Sequence, residues 1–140
     1  MMTYDKGQLA TLPAVPRANA KNYGDTKETI ETRTLVVLDD DMMHKVVVAR
    51  LYRSRRGDGS TPTYAEIWIR TRDGRMLSGR GSAGGYGYCK RAAAIGKAVA
   101  SAGVRLALDI EGCGMGAVDD ALHAIANAAG YSDFHVREIV

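Results

Sequence analysis

The chain predicts an α+β domain: an antiparallel four- or five-stranded sheet with two helices packed on one face. Three observations carry this. Residues 45–53 and 63–71, "KVVVARLYR" and "TYAEIWIRT", are β-branched, aromatic and alternating. An Asp-Gly pair at 73–74, the strongest short hairpin signal, follows the second of them. Two alanine-rich stretches then repeat apolar residues at helical spacing, and each is closed by a glycine.

The elements read off in order. Residues 1–30 lack a steady period and contain Pro13, Pro16 and Gly24. They read as an N-terminal arm, loose or laid over the core, with residues 31–140 as the single domain. "TRTLVVL" (32–38) is a short strand that the three carboxylates of "DDD" (39–41) end in a solvated turn. In the strand at 45–53, alternation puts Val47, Ala49 and Leu51 on one face and Val46, Val48, Arg50 and Tyr52 on the other. "SRRGDGSTP" (54–62) is a loop with exposed arginines. In the strand at 63–71, Ala65, Ile67 and Ile69 oppose Tyr64, Glu66, Trp68 and Arg70. "RMLSGRG" (75–81) should return beside it as a third strand of the meander.

Beyond the glycines, Ile95, Val99 and Ala102 mark a helix over about 89–102, with Gly103 as its C′ residue. "VRLALDI" (104–110) fits a strand or an extended linker. Val118, Leu122 and Ile125 mark a second helix that closes at Gly130, with Asp119 and Asp120 assigned to its first turn. "FHVREIV" (134–140) reads as a last strand.

A chain of 140 residues is long enough to bury a core without disulfide or metal. No apolar run approaches the roughly 20 residues of a membrane span, so no membrane association is expected. The first residues lack a basic start leading into an apolar run, so no signal peptide is read there. Two cysteines, Cys89 and Cys113, make neither a disulfide framework nor a zinc quartet, and a reducing host cytoplasm is the expected location. Neither cofactor nor metal is called for.

Charge is the least even property. Between Arg50 and Lys97 stand eleven basic residues and three acidic ones, Asp58, Glu66 and Asp73, a net +8 in a chain whose total is +3. Such asymmetry points to an anionic partner at the middle of the chain, or to a solvated surface whose charges cancel on folding. Tyr52, Tyr64 and Trp68, interleaved with Arg50 and Arg70, would share one sheet face. They would serve either as a base-stacking platform or, as is commoner for aromatics, as core.

The segment "SGRGSAGGYGYCKRAAA" (78–94) holds the most specific pattern. "GRGSAG" (79–84) matches G-x-G-x-x-G, but the strand before it is short and polar and the helix starts several residues late for a dinucleotide site. The chain contains no Gly-Lys-Ser/Thr, which excludes a P-loop. A helix start with free N–H groups and the cations Lys90 and Arg91 suits a phosphate. Tyr86 and Tyr88, set among glycines, would stack on bases, fill a partner's pocket, or fold back over the sheet.

A three-stranded meander, a small-residue turn and a basic helix start, "GYGYCKRAAAIGKAV" (85–99), resemble the C-terminal half of a double-stranded RNA-binding domain. That resemblance covers about 60 residues and implies phosphate contact by Lys90, Arg91 and Lys97. The chain departs from the family in showing no N-terminal helix and in continuing into a further helix and strand. "GSAGGYGYCKRAAA" with "AIANAAGY" (124–131) is also similar to small proteins of phages and mobile elements. These include anti-CRISPR inhibitors, and the similarity implies binding to a host nuclease or its guide complex.

An enzyme would need Cys113 or Cys89 set against His123 or His135. The histidines, His44 among them, match no metal spacing. The expectation is therefore a non-catalytic binding protein that engages nucleic acid or a nucleic-acid-handling complex. Its site residues would be Arg53, Arg55, Arg56, Arg80, Tyr86, Tyr88, Lys90, Arg91 and Lys97. Its oligomeric state, including a homodimer, is left open.

Overall fold

Five strands form one antiparallel sheet: β1 (Thr26–Asp39), β2 (Lys45–Arg56), β3 (Thr63–Arg70), β4 (Met76–Ala83) and β5 (Phe134–Ile139). Their order across the sheet is β4-β3-β2-β1-β5. The four-strand meander is built from neighbours in sequence, and the last strand returns across the helices to pair with the first. Among the described residues two helices, α1 (Arg91–Ser101) and α2 (Met115–Ala128), complete the α+β fold. The computed structural model describes residues 26–56, 59–84, 90–106 and 115–139.

β1 begins at Thr26, inside the segment assigned to the arm and ahead of the strand expected at 32–38. The extension adds the pairings Thr26↔Arg56, Glu28↔Arg55 and Thr29↔Ser54, with Glu31↔Arg53 next along the register. Residues 1–25 lie outside the described residues.

The alternation of β2 and β3 sets the two faces. Leu35, Val37, Val47, Ala49, Leu51, Ala65, Ile67 and Ile69 meet Ile95, Val99, Val118, Leu122 and Ile125 of the helices in one buried cluster. Val46 departs from the expected alternation. A β-bulge at Val37/Leu38 leaves it as the extra residue, and it joins the helix-side cluster beside Val47. The turn at 39–41 forms as expected. Asp39 Oδ1 accepts from Met43 N at 3.1 Å, and Met42 takes the left-handed φ of 59°.

The β3–β4 hairpin closes through a three-residue loop, with Gly74 at φ 93°. Thr71 N donates to the Arg75 carbonyl at 2.8 Å. Both helices end in the same way. Gly103 N donates to Ala100 O and Val104 N to Val99 O; Gly130 N donates to Asn127 O and Tyr131 N to Ala126 O. This is the Schellman pattern, and it requires the left-handed glycines at φ 85° and 102°. Helix α2 starts three residues ahead of Val118, so Asp119 and Asp120 lie beyond its first turn and not within it. Residues 104–106 take no regular structure, and the rest of "VRLALDI" lies outside the described residues.

The glycines of β4 decide where α1 can sit. A β-carbon on Gly79 would come within 2.6 Å of Ala102 N, and one on Gly81 within 2.7 Å of Ala94 O. The Ala98 backbone would be closer still to both. The helix answers with Ala94 and Ala98, both fully buried, so its backbone lies almost on the strand. Gly81→Ala should therefore cost about 1–3 kcal/mol through overpacking. Gly84→Ala, where nothing lies within 4 Å of the added carbon, should stay within about 0.5 kcal/mol of the parent. Denaturant midpoints of the two variants check this contrast.

β5 is held to β1 at its far end by a two-pronged ion pair. Arg33 Nε donates to Glu138 Oε1 at 2.8 Å and Nη2 donates to Oε2 at 2.9 Å. The hydrogen bond from Arg33 lowers the Glu138 pKa below its ordinary value, and the same bond raises that of Arg33. A carboxyl depressed on folding contributes stability above its unfolded pKa and loses it as pH falls through the folded value. Acidification below the ordinary glutamate range should thus loosen β5 first, by no more than about 1 kcal/mol for so exposed a pair. Glu138→Gln should remove that part of the acid sensitivity in pH-dependent chemical denaturation.

Candidate functional site

The predicted cations separate into two groups once the elements are assembled. Arg53 lies opposite Glu31 in the β1–β2 register, on the helix side of the sheet. Arg91, the first residue of α1, comes down onto the same carboxylate. Arg91 Nη2 donates to Glu31 Oε1 at 2.5 Å, and Arg53 Nη2 stands 3.4 Å from Oε2. Both arginine side chains are mostly buried, at 17% and 14% exposure. Two of the nine expected contact residues are therefore committed to an internal triad. The helix start supplies its guanidinium to the sheet rather than to a partner.

The second group faces solvent. Lys90 and Lys97 are exposed on α1, Arg55 is exposed near the end of β2, and Arg80 projects from β4 with 60% of its side chain accessible. Arg80 and Lys97 straddle β4, which is an edge of the sheet. Lys97 sits on the helix side, its Cβ close above Gly81, while Arg80 points to the opposite face beside Glu66. Arg80 N is 3.4 Å from Ser101 Oγ, which caps one outward N–H of this edge strand. Lys90 is the N-cap of α1. Its side chain has no oxygen to accept from the helix N–H groups, and the first turn carries no acid. The positive end of the helix dipole is thus not cancelled by its own sequence.

Arg56 belongs to β2, but its side chain lies outside the described residues, as do Tyr86, Tyr88, Cys89 and Cys113 entirely. The thiol–histidine pairing considered from sequence therefore also lies outside the described residues. Of the histidines, His123 sits 3.4 Å from Asp119 one helical turn away and packs edge-on against Phe134; His135 is exposed on β5. Among the described residues no three His, Cys, Asp or Glu side chains converge, and no helix is long and apolar enough to cross a membrane.

The aromatic face is not an open platform. Tyr52 and Tyr64 stack at 5.3 Å and are 2% and 4% exposed. With them is a polar group that sequence reasoning did not single out. Glu66 is buried, with Oε1 3.4 Å from Tyr52 Oη and 3.8 Å from Arg80 Nε. Arg50 is its cross-strand neighbour. Register alone would have revealed this pairing, since Arg50 and Glu66 fall opposite one another once the hairpin is aligned. Glu31 was missed for a different reason: it was left at the margin of the arm.

The chain matches no protein-family model, no curated protein and no solved structure.

The Arg53–Glu31–Arg91 triad carries a prediction of its own. Glu31→Gln leaves two part-buried guanidiniums without their shared anion, and should destabilise the domain by about 1–3 kcal/mol. In a double-mutant cycle with Arg91→Gln the two losses should be well short of additive. Thermal and denaturant unfolding of the four proteins measures the coupling.

Proposed function

We propose that this is a non-catalytic binding protein that engages the phosphate backbone of a nucleic acid along the β4 edge and the start of α1. The supporting observation is the gathering of exposed Arg55, Arg80, Lys90 and Lys97 on one strand–loop–helix unit and the adjoining end of β2. Of the carboxylates near this unit, Glu31 is part-buried and engaged by Arg53 and Arg91, and Glu66 is buried, within 3.4 Å of Tyr52 Oη and 3.8 Å of Arg80 Nε. Exposed cations gathered on one unit attract a polyanion at long range. A helix start led by lysine adds directed N–H donors for a phosphate oxygen. Contacts of this kind position a backbone and read no sequence.

The same cations suit an acidic surface on a nucleic-acid-handling host complex. That is the setting implied by the resemblance to mobile-element and anti-CRISPR proteins. In that case the purified chain ignores free RNA and DNA and co-elutes with the complex.

Binding to short duplex and single-stranded nucleic acids across a salt series decides between the two. Log affinity for duplex DNA should fall with log salt at a slope of about −0.9 per phosphate contact. Lys90→Glu with Lys97→Glu should flatten that slope by roughly two contacts and weaken all sequences alike. Fold stability should stay within about 0.5 kcal/mol, because both side chains are exposed. Salt-independent or absent binding to every nucleic acid would overturn the reading.

A further inference from the structure

A small polar cleft opens where β3 meets the edge strand β4, on the sheet face away from the helices. Its volume is about 150 Å³, and Glu66, Ile67, Trp68, Ser78, Gly79 and Arg80, all among the described residues, line it. The register sets its shape. Glu66↔Arg80 form one rung and Trp68↔Ser78 the next, and the backbone of the pair Ile67↔Gly79 is the floor between them. Side chains two residues apart on a strand stand roughly 6.7 Å from one another. A flat ring needs about 3.5 Å of clearance from carbon on each side. The gap between the rungs therefore holds one flat ring and no second. The volume agrees, since a cavity of about 150 Å³ takes a benzene-sized ring.

The walls supply distinct chemistry. Trp68 is half-buried and offers an indole for stacking, while Ser78 and Arg80 are exposed, so the cleft is open on the β4 side. Glu66 supplies an acceptor: its Oε2 is buried and makes no hydrogen bond. Its Oε1 stands 3.4 Å from Tyr52 Oη and 3.8 Å from Arg80 Nε, the second beyond hydrogen-bonding distance. The terminal torsion of a glutamate is soft, so a small rotation turns the carboxylate toward a donor that arrives in the cleft. Arg80, with 60% of its side chain accessible, has the room to turn outward at the same time.

An acceptor inside a cationic rim selects its ligand. A free ammonium or guanidinium would suit Glu66 but is repelled by Arg80 and by Lys97 on the other side of the same strand. A flat group with N–H donors on its edge and a negative charge tethered to it satisfies both. That is a nucleobase with its phosphate. An ionised carboxylate only accepts. Guanine presents it with two adjacent N–H donors, whereas the ring N–H of uracil is flanked by two carbonyl oxygens that a carboxylate repels.

We propose that the Glu66–Trp68–Ser78–Arg80 cleft takes one unpaired base of a single strand, with guanine preferred. The ring stacks on Trp68, its N–H edge donates to Glu66, and Arg80 turns to the adjoining phosphate. A base inside a duplex has that edge occupied and does not enter. The inference rests on the backbone reading above and adds to it one position that reads a base.

Trp68 is the single tryptophan of the chain, so its fluorescence reports on the cleft directly. The full chain is titrated with a uridine-run RNA, with the same RNA carrying one guanosine, and with that RNA paired to its complement. The unpaired guanosine should quench Trp68 saturably and bind several-fold more tightly than the uridine run at each salt concentration. The duplex should leave the emission unchanged. Glu66→Gln should remove the several-fold preference. Ser78→Phe, which fills the cleft from an exposed position and leaves the core untouched, should remove preference and quenching together while keeping the salt slope. Equal affinity and equal quenching by the guanosine and uridine strands, with the salt slope retained, would overturn the base site and spare the backbone reading. Loss of all salt-dependent binding would overturn both. Saturable quenching by free arginine in place of guanosine would mark the cleft as a pocket for a protein side chain and would overturn the base site as well.

Discussion

The helical layer depends on how closely α1 can approach β4. Gly79 and Gly81 remove the β-carbons that would otherwise hold the helix off, and Ala94 and Ala98 do the same from the helix side. With the backbones in near contact, Ile95 and Val99 reach the sheet interior and are fully buried. Each such side chain contributes roughly 1.5–3 kcal/mol. The same closeness sets the height and tilt of the helix, and hence where its first residue arrives. Arg91 reaches Glu31 on β1, at the other side of the meander, because α1 lies flat on the strands between. Gly79 and Gly81, the first two glycines of the G-x-G-x-x-G match, are therefore packing positions.

Charge on this molecule is sorted by depth. Arg53 and Arg91 share one carboxylate and are mostly out of water. The shared carboxylate ties the helix start to the sheet. Glu66 shows the harsher case. Its Oε2 is buried without a hydrogen-bond partner, and so is Nε of its cross-strand neighbour Arg50. Neither atom contributes the net hydrogen-bond energy that its burial would normally demand. The cost is offset by the packing of Tyr52 on Tyr64 and by the apolar residues around Val48.

Much of this fold was legible because period and punctuation agree. β2, β3, the Asp-Gly hairpin, both helices and their glycine stops all follow from local rules, and each was placed within a few residues. What escaped depends on contacts distant in sequence. The extension of β1 back to Thr26 is carried by polar residues that read as arm, and only pairing with β2 makes them strand. Val46 changes face because of a bulge, which alternation cannot foresee. The site was legible in composition but not in arrangement. Sequence located the basic segment, yet gave no means of telling that Arg91 turns inward to Glu31 while Lys90, one residue earlier, stays exposed.

One face of the sheet is packed against the helices, and Tyr52 and Tyr64 on the other are 2% and 4% exposed; the two rims of the sheet differ. β5 mixes signs: His135, Arg137 and Glu138 alternate along six residues, and Glu138 is held by Arg33. A polyanion gains little there. β4 carries Arg80 on one side and Lys97 above the other, and Lys90 caps the helix that lies on it. It is also the strand whose glycines bring a helix down to within reach of the edge. Charge, helix dipole and an accessible edge therefore coincide on one side of the sheet for a single reason. The small residues that let α1 settle on β4 also set Lys97 over the strand, on the face opposite Arg80. A partner drawn by charge would meet this rim first, whichever class of molecule carries the phosphates or carboxylates.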